Sequence, residues 1–189
     1  MMSLNRRAVR IAQYALFLVW LGGCGTSNYQ NWTPQGWNPP AGVSLPIKGR
    51  VAVEPDPNMP QIQMRTAWWS YPDVQLMQQA GLNVFHRLFT DAGPAATVQD
   101  PAVTIVLKGN SSLNPTLNEY YASVTATVFP GVDTYAMPLA TFSGDGKASQ
   151  PNYTRSGILM AYEAAFAQLA NKLLADTQLR ARIQGTGSK

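Results

Sequence analysis

The chain has 189 residues, of which 46% are apolar, and a formal net charge of +4. This length fits one domain, and the apolar fraction excludes a wholly disordered chain. Three of the fourteen basic residues lie within the first ten positions, so the remainder carries eleven basic against ten acidic residues. Because these charges are interspersed, we expect no binding of nucleic acid by the mature protein.

The first 23 residues have the features of an export signal. Arg6, Arg7 and Arg10 form a basic start without an acid, and the uncharged run Ile11–Leu21 follows. A membrane-spanning helix needs about 20 apolar residues, and this run is about half that length. We therefore predict that residues 1–23 are a removed signal peptide. The arginine pair leaves both the general and the twin-arginine export routes open.

The residues Leu21, Gly22, Gly23 and Cys24 resemble the lipobox of bacterial lipoproteins, in which the cysteine is lipidated and becomes the new N-terminus. Cys24 is also the only cysteine of the chain, so it cannot form an internal disulfide in an oxidising compartment. We predict lipidation at Cys24; the alternative is a free thiol beside an ordinary secretory cleavage site. In enteric-type bacteria, an Asp directly after the cysteine resembles a signal for retention in the inner membrane. This chain has Gly25 at that position, which favours sorting to the periplasmic side of the outer membrane.

A polar segment follows the cysteine at residues 24–47. It is rich in Asn, Gln, Ser, Pro and Gly and has no apolar period, so we predict a tether between the lipid and a single domain at residues 48–189. Trp32 and Trp37 lie within this segment. Their amphipathic rings suit the membrane interface, a partner or their own domain equally well.

The first half of the domain contains two predicted strands and a helix. Gly49–Val53 alternates as a strand does, and Gln61–Ala67 does so more weakly. Ser70–Asp73 combines a capping hydroxyl, a proline and an acid, which is typical of a helix start, and apolar residues at three- and four-residue steps continue to about Phe89. Gly81 inside this helix indicates a close approach to the sheet or a break.

Three further strands are predicted at Ala102–Leu107, Tyr120–Phe129 and Tyr135–Phe142. The middle one alternates small apolar with polar residues, which is typical of a half-buried antiparallel strand. Pro138 makes the third an edge or broken strand. Gly144–Gly146 is interpreted as a turn. Loops are expected between the elements, at residues 91–94, 109–118 and 130–133.

The last element is a long amphipathic helix. It is predicted to be capped near Asn152 or Thr154, to run to about Ala175 and to resume as far as Ile183. The order of elements predicts an α+β fold, with a mainly antiparallel sheet of four to five strands and two helices on one face.

Candidate catalytic groups are few. The single histidine, His86, lies near the edge of the apolar face of the first helix, and the carboxylates are scattered. Without a second histidine or a free thiol there is no zinc or thiol ligand set. We therefore predict a protein that is not an enzyme and has no cofactor or metal. Trp68, Trp69 and Tyr71 are the candidate partner surface, and core anchors are the equal alternative.

The C-terminal part resembles the small outer-membrane lipoproteins of the LptE and YajG types, both α+β modules. The likeness lies in the alternating strand Tyr121–Phe129, the connection Pro130–Tyr135, and a long Ala/Leu-rich helix ending in Asp176 and Leu179. Secretion lipoproteins of the curli and Pel polysaccharide systems are similar in architecture and form rings. The resemblance implies an outer-membrane lipoprotein that docks on an envelope assembly or export complex. The alternative is a lipoprotein that binds lipid or glycan; the oligomeric state is left open.

Overall fold

A computed structural model describes residues 39–59, 63–65, 70–150 and 155–185, with only the backbone described at 63–65 and 70–73. Several predictions fall outside these residues and are not tested by the structure. They are the signal peptide, Cys24, the tether up to residue 38, Trp68, Trp69 and the helix caps at Asn152 and Thr154.

Seven strands and three helices occur in the described part of the chain. Five strands form the main sheet, in the order β4-β1-β5-β6-β7, and β2 and β3 form a separate antiparallel pair. The elements are β1 (Ile47–Pro55), β2 (Gln63–Arg65), β3 (Ser70–Pro72), α1 (Asp73–Leu88), β4 (Phe89–Pro94), β5 (Val103–Asn114), β6 (Glu119–Pro130), β7 (Ala140–Ser149), α2 (Arg155–Ala175) and α3 (Thr177–Ile183).

The main sheet is mixed. β1 pairs in parallel with β4 on one side and with β5 on the other, whereas the β5-β6 and β6-β7 pairs are antiparallel. The antiparallel pairs are the longer ones, so the sheet is mostly antiparallel, as predicted. Parallel pairing requires a crossover connection, and α1 supplies one between β1 and β4. The α+β class is therefore confirmed, with two parallel pairings that the sequence did not reveal.

The two long helices pack on one face of the sheet and enclose the core. α1 contacts β4, β1 and β5, and α2 contacts β7 and β6. Phe85 of α1 meets Phe166 of α2 edge to face, with ring centroids 5.9 Å apart, and both rings are fully buried. Edge-to-face contact is a preferred geometry for aromatic pairs. The predicted placement of both helices on one face is thus confirmed.

Three element boundaries differ from the sequence predictions. β4 occupies the predicted loop at 91–94, because a short strand at the sheet edge needs no long apolar run. β5 continues to Asn114 into the predicted polar loop, since its exposed side can carry polar residues. The helix start was wrong by three residues: Ser70–Pro72 pairs with Gln63–Arg65, so α1 begins at Asp73.

The third predicted strand lies later in the chain than expected. β7 begins at Ala140, so Pro138 remains in the preceding loop and β7 forms an edge of the sheet. The turn predicted at Gly144–Gly146 is wrong, because all three residues lie within β7. A Cβ atom at Gly144 would overlap the carbonyl oxygen of Ala165, and one at Gly146 that of Ala161. These glycines therefore let α2 approach the sheet closely.

Candidate functional site

The face of β5, β6 and β7 that points away from the helices is the candidate functional surface, called the open face below. None of the three described helices packs on it. Alternation along β6 defines it: Tyr120 is buried in the core, whereas its neighbour Tyr121 is 37% exposed on the other side. The strand pairing places residues of β5 and β7 beside those of β6 on the same face, so the open face extends across all three strands. Its exposed or half-buried members are Lys108, Asn110, Ser112, Tyr121, Ser123, Thr125, Thr127, Thr141, Ser143, Asp145 and Lys147.

An ordered charged cluster lies at one end of the open face. The Nζ of Lys147 is 2.6 Å from Oε1 of Glu119, and the hydroxyl of Tyr121 donates a hydrogen bond to the same carboxylate. The Lys147 ammonium also lies 5.6 Å from the centroid of the Tyr121 ring. Cross-strand pairing holds the three residues together, because Tyr121 is opposite Lys147 in the β6-β7 register.

These contacts keep both charges of the cluster in place at neutral pH. The hydrogen bond from Lys147, and then that from Tyr121, lowers the pKa of Glu119 below its usual value. The carboxylate in turn raises the pKa of Lys147 and of the Tyr121 phenol. A carboxylate that accepts two hydrogen bonds stays ionised. The cluster is thus an ordered pair of opposite charges beside an aromatic ring.

A second polar contact continues along the same two strands. The hydroxyl of Ser123 donates a 2.7 Å hydrogen bond to Oδ1 of Asp145, its cross-strand neighbour. Both residues are exposed. The open face therefore carries side chains that are already oriented, and a partner would lose little side-chain entropy on binding them.

The free edge of β7 is covered by side chains of α2. The backbone N–H of Asp145 donates to Oε1 of Gln168 at 2.7 Å, and Nζ of Lys172 donates to the carbonyl oxygen of Ser143 at 2.6 Å. These are outward-pointing backbone groups that another strand could otherwise bind. The arrangement makes the face, rather than this part of the edge, the surface available to a partner.

A carboxylate lies in the described core, and sequence reasoning missed it. Glu163 of α2 is only 2% exposed and accepts a 2.7 Å hydrogen bond from the Asn83 amide of α1. Burial raises its pKa to about 7, against the Asn83 hydrogen bond and the Arg87 charge, which both lower it. In the sequence, the position of this acid within an apolar helical run, next to Tyr162, was the signal that could have revealed its burial. Because it is enclosed between helices, it does not form part of the open face.

The structure settles the positions of only some of the residues singled out from sequence. His86 is exposed on α1. Tyr71 lies in β3, where its backbone pairs with Met64, but the structure does not describe its side chain. Because Trp68 and Trp69 lie outside the described residues, the aromatic partner surface remains a prediction.

Metal and membrane features were searched in the described ranges. No group of three or more His, Cys, Asp or Glu side chains that could hold a metal ion occurs there. None of the described helices combines the length and the apolar character needed to traverse a bilayer.

Comparison with known proteins gives distant structural likenesses. No family model and no curated protein matches the chain. A Xanthomonas campestris protein of the DUF330 family is similar with a TM-score of 0.44 and 10% identity, covering 72% of this chain and 87% of its own. A protein from Caulobacter crescentus, called a "putative lipoprotein", has a TM-score of 0.39 and 13% identity, with coverages of 74% and 93%. At this degree of superposition neither structure indicates what the chain binds.

Proposed function

We propose that the chain is a periplasmic lipoprotein anchored to the outer membrane, which acts without catalysis by docking on an envelope assembly or export complex. The basic leader, its short apolar run and the Leu21–Cys24 pattern support the address. The resemblance of the C-terminal part to lipoproteins of the LptE and YajG types is a further reason for this proposal.

The open face is the observation that carries docking. Its three strands are the longest of the sheet, and both helices pack on the opposite side. The face presents fixed charges of both signs at Glu119 and Lys147, with oriented polar groups at Ser123 and Asp145. Such a pattern gives specificity for a complementary protein surface, because a partner that places like charges opposite Glu119 or Lys147 would be repelled.

The lipid and the tether would increase the rate and the apparent strength of docking. Residues 24–47, if fully extended, reach at most about 80 Å. Holding the domain within that distance of the membrane raises its effective concentration at a membrane-bound partner without any new contact. Each part thus has a separate role: Cys24 holds the chain, the tether gives reach, and the open face binds.

Site-specific photocrosslinking in living cells tests this proposal. A photoreactive residue at Thr125, in the middle of the open face, should give a discrete adduct with an envelope protein. The matched control is the same residue at His86, which is exposed on the helix layer. An adduct at Thr125 but not at His86 would support docking through the open face. No adduct at Thr125 in lipidated, folded protein, or equal adducts at both positions, would contradict it.

The alternative, in which the chain binds glycan, gains no support from Tyr121. Sugar rings commonly stack on an exposed aromatic face, but the Lys147 ammonium lies over this ring and Glu119 holds its hydroxyl. The cluster is already internally satisfied. The protein-docking role is therefore the one that we carry forward.

A further inference from the structure

The loop between β6 and β7, residues 131–139, exposes an unusual amount of apolar surface. In the part of the chain that the structure describes, six large apolar side chains are exposed, and four of them lie in this loop. Tyr135 is 100% exposed, Met137 88%, Val132 75% and Leu139 37%. Large apolar side chains that are exposed together in one short loop indicate a surface that lipid or another molecule covers.

The backbone of the β6-β7 loop is held in place. Gly131 donates its N–H to Ala102 and accepts a 2.5 Å hydrogen bond from the buried Thr104 hydroxyl. At the other end, Leu139 donates its N–H to the carbonyl oxygen of Val128 at 2.8 Å. Both ends of the loop are thus hydrogen-bonded to the sheet. The fold itself therefore holds the apolar side chains of the loop in their exposed positions.

The tip of the loop is ordered as well. The N–H of Tyr135 donates to the Asp133 carboxylate at 3.0 Å. This turn directs the chain so that Tyr135 and Met137 are almost fully exposed. Tyrosine suits the boundary between lipid and water, because its ring is apolar and its hydroxyl can remain hydrated.

The loop lies at the end of the sheet where the polypeptide arrives from its predicted anchor. β1 and β5 start at this end, and β6 finishes there, because Val51 pairs with Val103 and Val103 with Pro130. A path of backbone hydrogen bonds connects the two features, from Arg50 through Ala102 to Gly131. With strands about 4.8 Å apart, Val51 of β1 is about 10 Å from Pro130, where the loop begins, across two strand spacings.

The chain before β1 limits how far the domain can lie from its predicted anchor. Pro39 follows Cys24 by 15 positions, which is at most about 50 Å of extended chain. Because the chain enters the sheet at this end, the loop lies nearer to the predicted lipid attachment than the opposite β5-β6 hairpin does. The loop contains no Lys or Arg and one acid, Asp133, so the contact offered by its apolar side chains gains nothing from anionic lipid.

We infer that the β6-β7 loop is a second membrane contact: Val132, Tyr135 and Met137 enter the lipid interface and orient the domain on the bilayer. The inference rests on the proposed lipid anchor at Cys24. A domain held by both lipid and loop has its sheet standing on the membrane, so the open face is presented sideways to a neighbouring envelope protein.

An environment-sensitive fluorophore tests this contact independently of natural lipidation. In the mature chain, a hexahistidine tag replaces Cys24 and binds nickel-chelating lipid in phosphatidylethanolamine–phosphatidylglycerol vesicles. Tyr135→Cys then supplies a single thiol for the label. The matched control is Leu117→Cys, because Leu117 is 59% exposed in the hairpin at the opposite end of the sheet. Circular dichroism checks that both labelled chains are folded.

The expected result is a blue shift and a severalfold loss of iodide quenching at position 135 on vesicle attachment, with no change at position 117. The shift should persist in high salt and in vesicles without phosphatidylglycerol, and adding Val132→Ser and Met137→Ser should abolish it. A label at 135 that stays as accessible to iodide as the one at 117 would overturn the inference, including the case in which the loop binds protein instead. Flotation of the natural chain reports separately on lipidation, so a failed anchor and a failed loop contact are distinguishable.

Discussion

The side-chain amide of Asn83 on α1 donates a 2.7 Å hydrogen bond to Oε1 of Glu163 on α2. This bond joins the two helices above the sheet, where Glu163 is 2% exposed. Its burial raises the pKa of Glu163 to about 7 from the model-peptide value of 4.5. The interhelical contact therefore has a protonation state that changes near neutral pH.

We expect Glu163 to make the domain less stable as pH rises. The folded state retains a proton on Glu163 that the unfolded chain releases near 4.5, so stability falls between about 4.5 and about 7, by up to about 3 kcal/mol. Glu163→Gln keeps the hydrogen-bond acceptor without the charge. Urea unfolding at about pH 5 and about pH 8 should show that the substitution removes most of this loss.

The matched control for that measurement is Glu119→Gln. The pKa of Glu119 is lowered by its hydrogen bonds, so its titration lies below the same pH range. The control should keep the pH dependence of the natural protein. An equally steep loss of stability in Glu163→Gln would show that another group causes it.

Gly146→Ala should destabilise the fold by about 1–3 kcal/mol, because an added Cβ forces α2 away from β7. Ser143→Ala on the same strand points to the open face and should change stability by less than about 0.5 kcal/mol. Thermal or urea unfolding compares the two. Equal stabilities would mean that α2 moves away from the strand without loss of packing.

Replacing both Gln168 and Lys172 with Ala should expose the edge of β7. Loss of the two hydrogen bonds to Asp145 and Ser143 should cost about 1 kcal/mol each, and the uncovered strand should associate with other chains as concentration rises. Light scattering and unfolding measure the two effects. Gln178→Ala on α3, an exposed glutamine away from this edge, should leave both unchanged.

Cys24→Ser should release the protein from the membrane. If Cys24 carries the lipid, the natural chain enters the detergent-rich phase on phase separation and the variant stays in the aqueous phase. Mass spectrometry of the N-terminal peptide identifies the modification directly. A natural chain without acyl groups on Cys24 would exclude the predicted lipidation, whatever the fate of the docking proposal.

Local patterns were sufficient for several elements. Small apolar and polar residues alternate in β6, which predicted a half-buried strand, and this accounts for Tyr120 in the core and Tyr121 on the open face. The apolar spacing of α2 predicted a helix to Ala175. These elements can be predicted because each of them buries one side, so that apolar residues recur at a fixed spacing along the chain.

Other features depend on residues distant in sequence. Whether Gly144–Gly146 forms a turn or a strand is decided by the close approach of α2, which no neighbouring residue reveals. The pKa of Glu163 is raised by the burial that both helices create and lowered in part by the hydrogen bond from Asn83, eighty positions away. β4 is a strand because β1 offers it a parallel edge.

By itself, the sequence predicted an export leader before Cys24 and determined the α+β class and the period of the longest elements, because charge, apolar runs and alternation are local properties. Only the tertiary structure decided which face stays open, which glycines admit a helix and which end of the sheet carries the exposed β6-β7 loop. These depend on how strands are ordered across the sheet, and that order is set by packing between segments far apart in the chain.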